Sequence, residues 1–120
     1  MQIFSPIQAV AVQWSKAGRQ IILGKIVRLP SGELIFGTPY RRRRFSTPSL
    51  PEPVLQFLLA RNVQRWIVRL DGLGTAYELS LESVREVGVF RDGEWHVPFR
   101  HFRRTDWIEW PYATQTIEVH

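Results

Sequence analysis

The sequence contains no cysteine. That excludes disulfides, thiol catalysis and thiolate zinc sites together. Acidic residues are nearly missing from the first half. Residues 1–50 hold eight Lys/Arg against the single acid Glu33, whereas residues 51–120 hold eight Lys/Arg against ten acids. The halves therefore carry +7 and −2, which sum to the net +5 of the chain. Lysine is scarce too: of sixteen basic residues only Lys16 and Lys25 are not arginine. No apolar run approaches the roughly 20 residues that span a bilayer, so no membrane partner is expected. Met1-Gln2-Ile3-Phe4-Ser5-Pro6 is not a basic segment followed by an apolar one, and a cytoplasmic location without a signal peptide is expected. There is no P-loop, no Gly-x-Ser-x-Gly elbow and no dinucleotide fingerprint. Gly72-Leu73-Gly74 lacks the third glycine and the helix that such a fingerprint needs.

With 44% hydrophobic and 22% charged residues, the 120-residue chain has the composition of one globular domain spanning residues 1–120. Period-two patterning predicts strands over 7–14, with Val10, Val12 and Trp14 on one face, over 20–29, with a bulge or bend at Gly24, and over 33–37, with Leu34 and Phe36 inward. These form an antiparallel meander. Ser49 and Glu52 have capping-box spacing, which predicts a helix from Ser49 to Asn62 with Leu50, Val54, Phe57 and Leu58 as its apolar stripe. Strands follow at 63–71 and 75–79, then a short helix over 81–87 capped by Ser80 and stopped by Gly88. Asp92-Gly93 signals a hairpin. Residues 98–112 read as irregular or a helical turn, and 116–119 as a candidate last edge strand. The fold class expected is α+β: an N-terminal antiparallel β-meander, one capped α-helix, a central β-hairpin, a short second helix and an aromatic-rich C-terminal segment.

The sharpest feature is Arg41-Arg42-Arg43-Arg44, flanked by Tyr40 and Phe45. Four adjacent like charges repel one another and must meet solvent or an anion. A nucleic-acid backbone supplies that anion, and arginine suits it by bidentate contact and stacking. Tyr40 and Phe45 are candidates to stack on unpaired bases. Arg19, Lys25 and Arg28 from the meander are expected to help. The leading expectation is a non-enzymatic nucleic-acid-binding or accessory protein, for DNA or RNA, with no cofactor. The alternative is a module or inhibitor that docks a protein partner through Trp107, Trp110 and Tyr112, since Trp and Tyr anchor interfaces. Phe99 and Phe102 are expected in the core.

Metal chemistry ranks lower. His96 and His101, with Glu94 and Asp106 nearby, match no standard ligand spacing. A metal-dependent nuclease is the third reading. Asp71 and Glu78 are spaced like the acidic pair of restriction-type nucleases, but Ser80 stands where those enzymes want lysine. The opening order of elements resembles that of an RNase H-like fold, yet the first strand carries no acid to hold a metal. No catalytic residue is therefore expected.

Overall fold

Small and β-branched residues alternate along Gln8–Lys16 (β1), so both faces of the strand have something to bury. Val12 faces the larger core, while Ala9 and Ala11 are buried on the opposite face. The computed structural model describes residues 8–40, 47–70, 74–106 and 112–120. It is mostly strands with two short helices, α+β in the broad sense.

β1 pairs antiparallel with Arg19–Arg28 (β2), which pairs antiparallel with Leu34–Tyr40 (β3). The register of β1 against β2 slips beside Gly24, where Val12 faces Gly24 and Gln13 faces Ile22, leaving Leu23 as the extra residue. A Cβ at Gly24 would press into the Gly37 carbonyl oxygen, so glycine is needed there for close backbone approach. Pairing of β2 with β3 ends at Lys25 and Gly37. Beyond the Gly24–Gly37 contact residues 19–23 of β2 part from β3 and continue as a two-stranded ribbon with β1.

Two corrections concern the first helix. Ser49–Pro51 forms a short strand (β4) rather than a cap, and helix α1 runs Glu52–Ala60 with Pro51 at its N-cap and no side-chain capping bond. Leu50 precedes a proline, and the proline ring pushes the residue before it out of helical geometry into extended backbone. Leu50 is still buried, but from β4. The helix contributes Val54, Leu55 and Leu58 to the core, and Phe57 is only partly buried. It ends at Arg61, and Asn62 then takes a left-handed φ of 60°, which asparagine tolerates.

Val63–Leu70 (β5) pairs parallel with β3, and Thr75–Ser80 (β6) returns antiparallel to it. Ser80 makes no side-chain cap either: a 3-10 turn over Leu81–Ser83 leads into the four-residue helix α2, Val84–Val87. Val89–Arg91 (β7) and Glu94–His96 (β8) form the hairpin around Asp92 and Gly93, both with positive φ, and β8 also pairs with β4. The expected irregular stretch contains a 3-10 turn at Phe99–His101 and an edge strand, Arg103–Asp106 (β9), paired with β6. Gln115–Val119 (β10) runs parallel to β1 at the other edge. The main sheet thus has the order β10-β1-β2-β3-β5-β6-β9, and β4-β8-β7 form a second, small one.

Trp66, Phe36, Val68 and Val12 from the sheet meet α1, Leu81, Val84 and Val97 on one side. The indole N–H of Trp66 donates to the Thr38 hydroxyl at 2.9 Å, so this buried polar group is satisfied. Phe102 lies edge-on to Trp66, with ring centroids 5.4 Å apart. Ala9, Val27, Ile35, Ile67 and Ala76 form a second, thinner cluster on the other face. Among the described residues no helix is long and apolar enough to cross a membrane.

Leu58 is fully buried at the contact of α1 with the sheet. Leu58→Ala should cost about 2–5 kcal/mol of unfolding free energy in denaturant titration, through reduced burial and the cavity left behind. A loss under about 0.5 kcal/mol, the size typical of surface sites, would contradict this packing.

Candidate nucleic-acid interface

Strand direction decides where the charges fall. β1, β3, β5, β9 and β10 run the same way, because β2 and β6 are antiparallel to their neighbours and the β3–β5 and β1–β10 pairs are parallel. Lys16, Tyr40, Leu70, Asp106 and Val119 therefore end their strands on one side of the sheet, and Arg19 begins β2 there. The chain leaves that side at Tyr40 directly into Arg41-Arg42-Arg43-Arg44-Phe45, and at Asp106 directly into Trp107. Arg41–Arg44, Phe45, Trp107 and Trp110 themselves lie outside the described residues, as does Asp71.

At this end β1 and β2 meet in a two-residue turn, Ala17 (φ 52°) and Gly18 (φ 77°). Two positive φ values in succession belong to the hairpin turn whose twist matches that of the flanking strands. The turn sets Lys16 directly opposite Arg19. Like charges placed opposite each other destabilise a strand pair. Neither cation has a carboxylate partner among the described residues, and every residue from Lys16 to Ile22 is exposed. Charge counting alone does not group Lys16 with Arg19; the signal that can is the Ala17-Gly18 dipeptide between two alternating runs.

The other expected residues are placed differently. Arg28 ends β2 at the opposite side of the sheet, nine residues from Arg19, or roughly 30 Å of extended strand. Lys25 differs from Arg28 by an odd number of residues and so lies on the other face. Its ammonium sits 5.7 Å from the centroid of the Tyr112 ring, and Tyr112 is 93% exposed. Tyr40 is half-buried and lies edge-on to Phe99 at 5.0 Å, with Tyr77 on Phe99 at 5.6 Å, so its ring is part of the body's aromatic packing. The structure thus sets Lys16 opposite Arg19 at the end of the β1–β2 ribbon and places Arg28 at the other side of the sheet.

Three of the eight arginines of the second half, Arg65, Arg85 and Arg103, are bonded to carboxylates. Arg65 donates to Glu33 at 2.7 Å and to Glu78 at 2.5 Å, and Arg103 closes the network on the other Glu78 oxygen through Nε at 2.9 Å. Glu52 accepts from Arg85 at 2.6 Å and from the Trp95 indole, tying the first turn of α1 to α2 and β8. Burial alone would push the Glu78 carboxyl up, but the hydrogen bonds from Arg103 and Arg65 outweigh it and hold the group below the ordinary carboxylate range. Glu52 is likewise lowered: burial opposes the shift, but Arg85, Trp95 and Gln56 outweigh it.

Glu78 is therefore an acceptor in an ion-pair network. Among the described residues no three His, Asp or Glu side chains converge to hold a metal. A polar cleft of about 460 Å³ lies between the end of α1 and β5–β6, far from the basic end, and Arg65 on its wall is occupied by Glu33 and Glu78. No family model matches the chain, and neither a curated protein nor a solved structure is similar to it.

Replacing Glu78 by Gln should cost about 1–3 kcal/mol at neutral pH. The cost stays below that of a fully buried pair because the Arg103 side chain is 82% exposed and screened. A carboxyl with a lowered folded value stabilises the protein above its ordinary value of 4.5 and loses that contribution as pH falls through the folded value. The stability gap between wild type and Glu78→Gln should be constant from neutral pH down to about 4.5 and close in more acidic buffer. A gap independent of pH in thermal melts would refute the network's role.

Proposed function

We propose that this protein is a non-enzymatic nucleic-acid-binding or accessory protein whose basic sheet end contacts phosphates. The observation that carries the reading is the convergence of Lys16 and Arg19 on the side of the sheet where the chain runs from Tyr40 into Arg41–Arg44. Phosphates offer what such a site lacks. They would bridge cations that otherwise repel one another and would release counterions on binding. Arginine in place of lysine favours bidentate contact to phosphate oxygens. Phosphate contacts of this kind serve DNA and RNA alike, because the backbone carries no base information.

Replacing Arg41, Arg42, Arg43 and Arg44 by serine lowers the net charge from +5 to +1. Affinity for short nucleic acids should fall across all sequences. The slope of log affinity against log salt should flatten by up to about 0.7–0.9 for each phosphate no longer neutralised. The melting temperature should hardly move. Equal affinity and equal slope in wild type and variant would remove the loop from recognition.

A second reading is favoured by Tyr112, whose ring is almost wholly exposed beside Lys25. Aromatic side chains left in solvent are suited to anchor a protein partner. In that reading Trp107, Trp110 and Tyr112 dock an apolar surface, and binding should be nearly indifferent to salt. A partner retained equally at low and high salt and released by Tyr112→Ala would favour docking over phosphate contact.

A further inference from the structure

We infer that the tip of the β1–β2 ribbon is a groove-reading element for duplex DNA, with Arg19 facing base edges and Lys16 a phosphate. This rests on the nucleic-acid reading above and names its substrate class. The ribbon parts from β3 after Lys25, and β10 accompanies β1 only as far as Trp14, opposite Val119. Two strands and a turn, Ser15 to Gln20, extend past the last paired residue of β10, about 10 Å at the usual rise per residue, while the Glu118 side chain of β10 accepts from Ser15 and Gln20 on the ribbon face opposite Lys16 and Arg19. The major groove of B-form DNA is about 12 Å wide and 8.5 Å deep and admits a two-stranded ribbon. The tip is of the same order as that depth, and a ribbon entering the groove would be oriented with the Lys16/Arg19 face toward the phosphates and the Glu118 face away from them.

The tip chemistry fits the same ligand. Ala17 and Gly18 place a single methyl group at the apex, so the ribbon is narrow where it enters. Lys16 and Arg19 project from one side of it, opposite each other. An arginine guanidinium can bond guanine O6 and N7 together, and that pairing exists only in the major groove. Ile21 and Ile22 are 49% and 54% exposed just behind the cations, on opposite faces of the ribbon. There they can meet thymine methyls and sugar carbons. A-form RNA hides its major-groove edges in a deep, narrow groove, so the ribbon would not read duplex RNA. A flat single strand has no groove for a ribbon to fill. The other hairpin tip, between β7 and β8, carries Asp92 and is followed by Glu94, which phosphates would repel.

The test uses the full chain in fluorescence anisotropy with a short duplex DNA, a single strand of the same length and a duplex RNA, over a salt series. Wild type should bind the DNA duplex best. Lys16→Ser with Arg19→Ser should weaken duplex DNA binding by about tenfold or more and reduce the salt slope by up to about 0.9, the share of the single phosphate contact made by Lys16. The single strand should change much less. Ile21→Ser with Ile22→Ser should weaken duplex binding with little change in slope. Methylation of guanine N7, which blocks the major-groove edge, should also weaken it. All these substitutions are at exposed positions, and an unchanged melting curve establishes that the variants are folded. Unaltered duplex affinity and slope in the Lys16/Arg19 variant, together with weakened binding in the Arg41–Arg44 variant, would overturn the ribbon's role while leaving nucleic-acid binding in place. Equal losses on all three nucleic acids, or indifference to N7 methylation, would reduce the ribbon to a general polyanion contact and overturn groove reading. No binding of wild type to any of the three at low salt would overturn this inference and the function proposed above together.

Discussion

The parallel pairing of β3 with β5 governs most of the architecture. Parallel neighbours cannot be joined by a tight turn, so the chain must cross over, and here it uses β4 and α1 to do so. The crossover places Val54, Leu55 and Leu58 over Phe36, Trp66 and Val68, which form the main core. It also aligns β3 and β5 so that both end on the same side. The antiparallel neighbours β2 and β6 then carry that direction outward to β1 and β9. The side on which the chain leaves β3 is set by the antiparallel pairing of β1, β2 and β3, whereas the parallel pair decides that β5 and β9 end there too.

A second constraint acts on the same strand. Gly24 and Gly37 touch backbone to backbone, and past this contact the sheet divides. β3 follows β5, while β2 follows β1. Were pairing to continue past Gly24, Ile21 and Ile22 would sit beside β3 and be covered. The bulge at Leu23 bends the ribbon at the same place, as bulges commonly do. One close glycine contact thus separates a packed body from an exposed arm, and the two cations on the arm are left without carboxylates.

The sequence is legible where local chemistry rules. The meander, the irregularity at Gly24, the Asp92-Gly93 hairpin, and the faces of Trp66 and Val68 against Arg65 and Arg69 all follow from alternation and turn residues. The start of α1 is not legible in this way, because Ser49 and Glu52 satisfy a capping pattern while Pro51 forbids it: the proline's steric effect on Leu50 outweighs one possible cap. β9 is hidden because Arg103-Arg104-Thr105-Asp106 has no apolar alternation, and an edge strand with one neighbour needs none. Alternation ends the third strand at residue 37, whereas β3 continues to Tyr40, whose ring partner Phe99 is distant in sequence. The site is legible as charge and not as geometry. Composition shows that the first half is basic, but only strand pairing shows that Arg19 and Arg28 lie at opposite ends.

The charge asymmetry then has a structural reading. In the second half four of the eight arginines serve the fold: Arg65 and Arg103 satisfy the buried carboxylate of Glu78, Arg85 satisfies Glu52, and Arg61 stacks on Phe57 at 3.6 Å. Glu33, the one acid of the first half, is drawn into that network by Arg65. It is therefore unable to neutralise its own half. Lys16 and Arg19 stand opposite each other with no carboxylate bonded to either among the described residues, the nearby Glu118 accepting instead from Ser15 and Gln20. Like charges held together without a counterion raise the free energy of the isolated protein and lower that of any complex with an anion. That difference is the physical basis for looking to a polyanion as the ligand.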